Sequence, residues 1–476
     1  ELQENLVIPS YGTTTKLLSE IDDYIRKGLL HIFYLKLLKP FGLSKNMILP
    51  YNDESNNEIR DIVILNNPHD VERIVFKHVK KTPYLTPFLY NSIISTTDVT
   101  NWMEQRRHYQ SSFSVNSELK KIVPISNCRA EKSIDIMHDL INNSKCDSEY
   151  IDIHDFFLNE TLAQLHLAMF GLSNEFQEDT NVKIRQAFSG DNMDYAKHYA
   201  FTLLNEVKTG RGPLSCPMRT DFGNKKQKYG NALIFTFAGH DTTANTLSWL
   251  IYELCKNKIL YEKLQNEIDT FWKKKEKENL HSDAESTIVY DDFKQLKFMT
   301  RCIMETLRLW TSIPNGTSRE LIEDDYITGK NGDKVIVPKG TYIQIPNWTR
   351  HRNPELWGKD VNVFNPERDF REDEIWNNSG IGSYNPSSER FSPFTFGPRD
   401  CIGKNFSQIE MRLILLHLMK NFEFFLPKQQ QTKYNQDTIS INHATLSPRN
   451  ILNESIYEKR SGMYVNVFLR NCKSSL

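Results

Sequence analysis

Residues 352–398 are rich in Pro, Asn, Gly and Ser, show little helical or strand periodicity, and end just before Cys401. So long an irregular stretch is uncommon inside a compact domain unless it has a function. The rest of the chain must therefore be built to hold it in place. What surrounds it is dominated by helical spacing. Apolar positions recur at helical intervals from Asp70 onwards and over 98–114, 155–171 and 230–256, the last being the longest such segment. Residues 295–310 predict another helix, stopped by Ile313, Pro314, Asn315 and Gly316, and a further one runs from Gly403 to Lys420.

Strand-like runs are short and lie towards the two ends. Residues 58–65 read as a strand closed by a turn at Asn66–His69, Arg319 falls in a strand after the Pro314 turn, 325–328 and 334–337 pair across Gly329–Gly332, and 463–469 close the chain. With 476 residues the chain exceeds the ~250 to 300 at which single cores usually stop growing. It has no repeat and no low-complexity linker, however, so one mainly α domain with small β-sheets is expected over residues 1–476. A net charge of -1 with 25% charged residues gives no reason to expect a nucleic-acid partner, and Lys273, Lys274, Lys275 and Lys277, interleaved with acids, predict a solvated helix end or loop. The seven cysteines are scattered and form no C-x-x-C pair, which argues against a disulfide framework or structural zinc and for a reducing compartment.

The segment FTFGPRDCIG sets Cys401 apart from an ordinary buried thiol: Phe394, Gly397, Arg399 and Gly403 frame it. A thiolate that binds haem iron must stay anionic in apolar surroundings, which calls for backbone N–H donors aimed at sulfur and for glycines where the chain turns tightly. A helix starting at Gly403 places its N-terminal dipole near the sulfur. Gly403 and Lys404 do not complete a phosphate-binding loop, because the spacing from Gly397 is wrong and Asn405 follows.

This segment resembles the cytochrome P450 haem loop, F-x-x-G-x-R-x-C-x-G, at every fixed position, and three further signatures follow the order of that family. Glu305 and Arg308 give E-x-x-R, a pair that alone would read as a weak surface contact. Asn365, Pro366, Glu367 and Arg368 stand where the family has P-E-R, and the resemblance implies a buried network of Glu305, Arg308 and Arg368 that fixes the meander. Ala238, Gly239, His240, Asp241, Thr242 and Thr243 fit the oxygen-activation pattern. There the resemblance implies that Gly239 opens space for dioxygen, Thr242 donates a hydrogen bond at the oxygen-activating step and Asp241 relays protons, with His240 at the variable position. A mid-helix glycine and a Thr242 hydroxyl able to bond back to the Ala238 carbonyl predict a kink.

Trp102 and Arg106 match W-x-x-x-R, which implies hydrogen bonds to a haem propionate, as does Arg399; Arg319 is a further candidate, and Phe394 and Ala238 would lie against the cofactor. The implied cofactors are haem b, dioxygen and NADPH electrons from a reductase, with cytochrome b5 as an additional partner. The electron donor is expected on the cysteine side, where Arg107, Lys404 and Arg412 add positive charge. The implied activity is a monooxygenase acting on a small apolar, lipid-like substrate lined by Leu85, Phe88, Leu89, Ile93, Ile94, Phe235, Ile313 and Leu446. An oxygen-independent isomerase or dehydratase of the family, or a non-enzymatic haem protein, are the alternatives; Asp241 and Thr242 argue against the first and the Cys401 frame against an apo scaffold. The interval from Gly171 to Ala238 is short beside that of most eukaryotic members, so a truncated substrate lid or an edited chain is expected. Because the first residue is Glu1, an upstream anchor or targeting segment is also expected, with membrane association on the cytosolic side of the endoplasmic reticulum; without an anchor the expectation is cytoplasmic.

Overall fold

The structure is a computed structural model that describes residues 5–7, 14–53, 58–114, 116–143, 150–174, 176, 193–280, 288–376, 388–395, 397–431, 434, 436–437, 439, 441, 445–448 and 462–470. It is mainly helical with small sheets. The helices that build the core are α1 (Val99–Ser114), α2 (Asn116–Asn143), α3 (Ile153–Gln164), α4 (Met193–Glu206), α5 (Lys225–Lys256), α6 (Lys258–Leu280), α7 (Lys297–Leu309) and α8 (Lys404–Asn421).

Helix α5 is the axis. Its N-terminus is capped by Asn224, whose side chain accepts from the Gln227 N–H at 3.0 Å, and it continues for about 48 Å at the standard rise. Most of its residues from Gly230 to Leu254 are buried on every face, as expected of a helix surrounded by others, and α3, α4, α7 and α8 pack around it. Its buried hydroxyls are satisfied within the helix: Thr236 donates to the Ala232 carbonyl at 2.9 Å, Thr242 to Ala238 at 2.9 Å and Thr246 to Thr242 at 2.9 Å. The helix is uninterrupted across Gly239, and the irregular turn lies next door. Helix α3, capped by Asp152, continues into a π turn at Leu165–Phe170, and a Cβ placed on Gly239 would come within 2.9 Å of Leu165 Cδ1.

Gly171 ends that π turn with φ 63, a left-handed conformation that glycine adopts without strain. Its backbone lies so close to Arg211 and Gly212 that a side chain at either glycine would strike main-chain atoms. The Leu214 N–H bonds the Met169 carbonyl at 2.9 Å, so the chain leaves the end of α3, forms α4 and returns to the same point before α5.

Four strands form the larger sheet in the order β1 (Met47–Asp53), β2 (Glu58–Ile64), β7 (Tyr342–Ile345) and β4 (Thr317–Glu320); β2 and β7 run parallel with Ile62 opposite Tyr342. Val63, Ile343 and Ile345 pack on Val71, Ile74 and Val75 of the helix Pro68–Lys77 as a separate small core. Strands β5 (Asp325–Thr328) and β6 (Lys334–Val337) pair alone, and β3 (Tyr150–Asp152), β9 (Tyr464–Leu469) and β8 (Phe422–Phe425) form the third sheet. Helix α2, strand β1 and most of α6 were not legible from periodicity. The lysine run lies near the end of α6 with Lys273, Lys274 and Lys277 exposed, as expected, whereas Lys275 is buried, 2.7 Å from Asp292 and 3.1 Å from Glu278.

The meander is held by buried charge. Glu305 and Arg308 on α7 are fully buried and joined by two hydrogen bonds of 2.7 Å. Glu305 also accepts from Arg368 Nε at 3.3 Å and from the Asn365 N–H at 3.0 Å, while Arg308 donates to the His351 carbonyl at 2.7 Å. Downstream, Glu374 takes Arg390 Nε at 2.7 Å, and Arg350 donates to the Glu389 carbonyl at 2.9 Å and to Ser392 Oγ at 2.7 Å, carrying the restraint up to the cysteine loop. Replacing Glu305→Ala leaves two buried guanidinium groups without their shared acceptor, at a cost of roughly 3 to 5 kcal/mol. Chemical denaturation of this variant is expected to show a loss of that size; a change below about 1 kcal/mol would make the pair no more than a surface contact.

Candidate active site

The loop that carries Cys401 is shaped by backbone conformation before any side chain is considered. Thr395 (φ 60) and Gly397 (φ 73) are both left-handed, and a Cβ at Gly397 would lie 3.1 Å from the Val75 carbonyl oxygen, so the loop is wedged against the helix Pro68–Lys77. After a short 3-10 turn over Gly397–Arg399, the Cys401 N–H closes the loop on the Phe394 carbonyl at 2.8 Å. Burial pushes the Cys401 thiol above its ordinary value, while a hydrogen bond from the Gly403 N–H pulls it back. A side chain at Gly403 would make only ordinary contacts, 4.0 Å from Cys401 Sγ and from Phe113, so in this structure residue 403 contributes its N–H to the sulfur and not a steric gap. Beside the sulfur lies a cavity of about 410 Å3 lined by Trp102, Arg106, Phe113, Asp400, Ile402 and Lys404 among others.

Cations gather around this loop. Arg399 donates to the carbonyls of Val79 at 3.0 Å and Thr96 at 3.1 Å, and its guanidinium lies 4.5 Å from the ring centre of buried Trp102. Arg106 on α1 is bound to Asp400, 2.7 Å to its carbonyl and 2.5 Å to Oδ1, and Lys404 takes the other carboxylate oxygen at 2.5 Å. Asp400 thus joins α1, the cysteine loop and α8. Arg319 on β4 is fully buried; one terminal nitrogen donates to Thr317 Oγ1 at 2.7 Å, while Nε and the other terminal nitrogen have no partner among the described residues. The half-buried Lys81 donates to the same Thr317 hydroxyl.

Among the described residues no carboxylate pairs with Lys81, Arg319 or Arg399. Burial, and then the charges of Arg319 and Arg106, lower Arg399 to about 9; burial lowers Arg319 to about 10 and, with Arg319 and Arg399 nearby, holds Lys81 well below its usual value. Buried cations without anions cost several kcal/mol each, so the cluster is short of negative charge. Lys81 and Asp400 carry no signal in the sequence, because each acquires its meaning from residues hundreds of positions away.

On α5 the side chains divide by face. Ala238 is exposed and Asp241 and Thr242 are half-buried, so they border open space. Gly239 instead faces Leu165, which makes its missing side chain a packing requirement. His240 is buried, with Nδ1 2.7 Å from the Thr236 carbonyl and its own carbonyl accepting from Thr161 at 3.0 Å. Phe235 points into the core, edge-on to Tyr109 at 5.0 Å and 5.9 Å from Phe113, and not into an open pocket. Leu446 is fully buried, its N–H on the Ser312 carbonyl, and Ile93 is buried with its N–H on Asn231 Oδ1 at 2.8 Å. Ile313, Leu89, Ile94 and Phe394 are half-buried, whereas Leu85 and Phe88 are 40% and 57% exposed. Arg412, expected on the donor face, is fully buried, donating to Gln408 and to Thr300 Oγ1 at 2.8 Å each. It cannot contribute to a docking surface, and Lys404 is already neutralised by Asp400.

The family model described as Cytochrome P450 matches residues 222–451, the part of the chain that holds α5, the Glu305 network and the cysteine loop. Over those residues the chain is of the cytochrome P450 family. It is similar to "Putative cytochrome P450 CYP13A5" of Caenorhabditis elegans, 29% identical over 47% of this chain and 37% of that one. It is also similar to "Cytochrome P450 52-N1" of Starmerella bombicola, 34% identical over 43% of this chain and 37% of that one, and to "Cytochrome P450 3A12" of Canis lupus familiaris, 34% identical over 42% and 35%. The chain spans between about a third and a half of the length of the curated relatives it matches.

A P450 fold implies haem, and the residues present suit it. The orphaned nitrogens of Arg319 and the acid-free cations Lys81 and Arg399 match a ligand that brings two carboxylates, and Cys401 presents sulfur with an N–H donor from Gly403. Among the described residues no group of three or more His, Cys, Asp or Glu side chains gathers into a metal cage. Also among the described residues, no helix is long and apolar enough to cross a membrane.

The cation cluster gives a test with two opposite signs. Lys81→Met would relieve repulsion in the haem-free protein and, with haem bound, would remove a cation available to its carboxylates. Its thermal midpoint is expected to rise without haem, while haem affinity falls by about tenfold, the scale of one charge-assisted contact. A lower midpoint without haem, or unchanged haem affinity, would take Lys81 out of the cradle.

Proposed function

We propose that this protein is a haem-thiolate monooxygenase, which inserts one atom of dioxygen into an apolar substrate and reduces the other to water with two protons and two electrons from a reductase. The observation that carries the reading is the coincidence, beside one loop, of a cysteine whose sulfur receives an amide N–H and of buried Arg319 and Arg399 and half-buried Lys81, which pair with no acid among the described residues. Cys401 would hold the iron; Arg319, Lys81 and Arg399 would hold the propionates. Trp102 would act by stacking under Arg399, and Arg106 by fixing Asp400 at the base of the loop. Haem, when bound, supplies the redox-active iron that activates dioxygen and oxidises the substrate.

The chain's own groups order what happens around that centre. Ala238 and Thr242 lie on the open face of α5, one helical turn apart, with the Thr242 hydroxyl resting on the Ala238 carbonyl at 2.9 Å. Turning that hydroxyl away from the carbonyl would free it to donate towards the open side of α5 at little cost, since the exchange would replace one hydrogen bond by another. Asp241, next in the chain and half-buried, is placed to take a proton from solvent at its carboxylate and pass it inward. Gly239 has a structural part in this reading, because it lets α3 and α5 close together.

The substrate would be lipid-like and its electrons would originate in NADPH. Leu85 and Phe88 offer exposed apolar surface on a segment that packs against α5, and burying hydrocarbon there contributes about 0.8 kcal/mol per CH₂. Fatty acids, terpenoids or sterols are expected to shift the spin state of the loaded protein where small charged compounds do not.

The central assignment is tested by reduced, carbon monoxide-treated protein, which is expected to show the strongly red-shifted Soret band of thiolate ligation and to lose it in Cys401→Ser, since a serine hydroxyl is a poor iron ligand at neutral pH. A variant that keeps the band would move the ligand elsewhere. Thr242→Ala is expected to retain the ligand-induced spin shift while reducing equivalents appear as hydrogen peroxide in place of product. Product per electron pair equal to that of the unaltered protein would remove Thr242 from the reaction.

A further inference from the structure

Asp241 does not stand alone on its helix. Asn245, one turn on and fully buried, donates from Nδ2 to Asp241 Oδ2 at 3.1 Å. The carbonyl oxygen of the same amide lies 2.8 Å from His154 Nε2, on the first turn of α3. His154 is 1% exposed, and its backbone N–H is taken by the Asp152 cap at 3.1 Å, which fixes where the ring can reach. Ser447 Oγ lies 3.5 Å from the same ring nitrogen, at the outer limit of a hydrogen bond.

The amide orientation determines the tautomer. An amide that donates to Asp241 must present its oxygen to His154, and an oxygen can only accept, so His154 carries its proton on Nε2. Reversing the amide would put an oxygen against the carboxylate, a repulsive contact in a buried place, even with the imidazole proton moved to Nδ1. The carboxylate thus sets the amide's orientation, and the His154 Nε2–H, 2.8 Å from the amide oxygen, anchors Asn245 where it donates to Asp241.

We propose that His154 is a positioning residue for Asp241: through Asn245 it fixes the carboxylate from which protons are passed to the oxygen site. This rests on the monooxygenase reading of Asp241. A side chain on α3, 87 positions before Asp241 by the numbering, thereby sets the geometry of proton delivery on α5. The Nε2–H donor is the property required, so glutamine, whose amide N–H reaches about as far along the side chain, should replace it, and phenylalanine of similar size should not.

The experiment measures product formed per electron pair consumed in the haem-loaded protein for His154→Phe, His154→Gln, Asp241→Asn and the double variant His154→Phe with Asp241→Asn. Haem content and the ligand-induced spin shift are followed as controls. His154→Phe is expected to lower coupling about fivefold, equivalent to ~1 kcal/mol, the net worth of one hydrogen bond. His154→Gln should restore most of it, and His154→Phe should add nothing once Asp241→Asn is present, since the carboxylate it orients is gone. Full coupling in His154→Phe, equal losses in the Phe and Gln variants, or additive losses in the double variant each overturn the proposal while leaving the monooxygenase reading intact. Unchanged coupling in Asp241→Asn overturns the reading of Asp241 and this proposal with it.

Discussion

One carboxylate, Glu305, bears more of this structure than any other group. It lies at the end of α7, fully buried, and is shared by Arg308 from its own helix, Arg368 from the meander and the Asn365 N–H. Buried ion pairs seldom add net stability over apolar packing, but they punish misplacement heavily, because any other arrangement strands a charge. That asymmetry suits a segment without its own periodicity. The meander cannot be placed by hydrophobic register, so it is placed by charges that tolerate one arrangement. Arg350, Arg390 and Glu374 extend the same device towards Ser392, and the cysteine loop starts from a position already settled.

The site combines two opposite electrostatic conditions within one region. Around Glu305 the buried Arg308 and Arg368 are answered by the carboxylate and by carbonyls, while Arg352 lies over the ring of Trp348 with no hydrogen-bond partner among the described residues. Around Arg319, Arg399 and Lys81 the positive charge is left unanswered by the described residues, and the protein keeps that imbalance next to a thiol whose ionisation burial disfavours. A folded chain bears such a cost where a ligand relieves it, which is how binding and folding become coupled. The framework of the meander is thus self-sufficient, whereas the cofactor cradle is complete only with its ligand.

The sequence displayed much of this, and its failures have physical causes. The long helix, the stop at Pro314 and the cysteine loop were legible because local spacing and turn chemistry specify them. Helix α2 was not, since Pro124 sits inside it and tertiary packing overrides the penalty. By spacing alone the Glu305 pair read as a surface contact, and it was the family resemblance that implied burial, as the same i,i+3 spacing serves both situations. Arg106 and Trp102 were read as propionate partners, and what the sequence did not show is that Arg106 also bonds Asp400 and that Trp102 lies against the face of Arg399. Phe235 and Gly239 were assigned to the open side of α5, but which way a helix faces is decided by its neighbours, and Tyr109 and Leu165 decided it here. Lys81 and His154 could not be found at all, because their partners are brought to them by the fold.

The meeting of Gly171 with Gly212 bears on how such proteins diversify. The chain departs from the end of α3 and returns to the same spot, with Gly212 and Leu214 hydrogen-bonded to the last turn before Gly171. An excursion with both feet fixed at one point is a cassette. Closing a loop costs only about 0.6 kcal/mol more for each doubling of its length, so the piece between the two glycines can be shortened, lengthened or exchanged while α5 and the cysteine loop stay where they are. Variation can then accumulate in the cassette without displacing the long helix or the loop that carries Cys401.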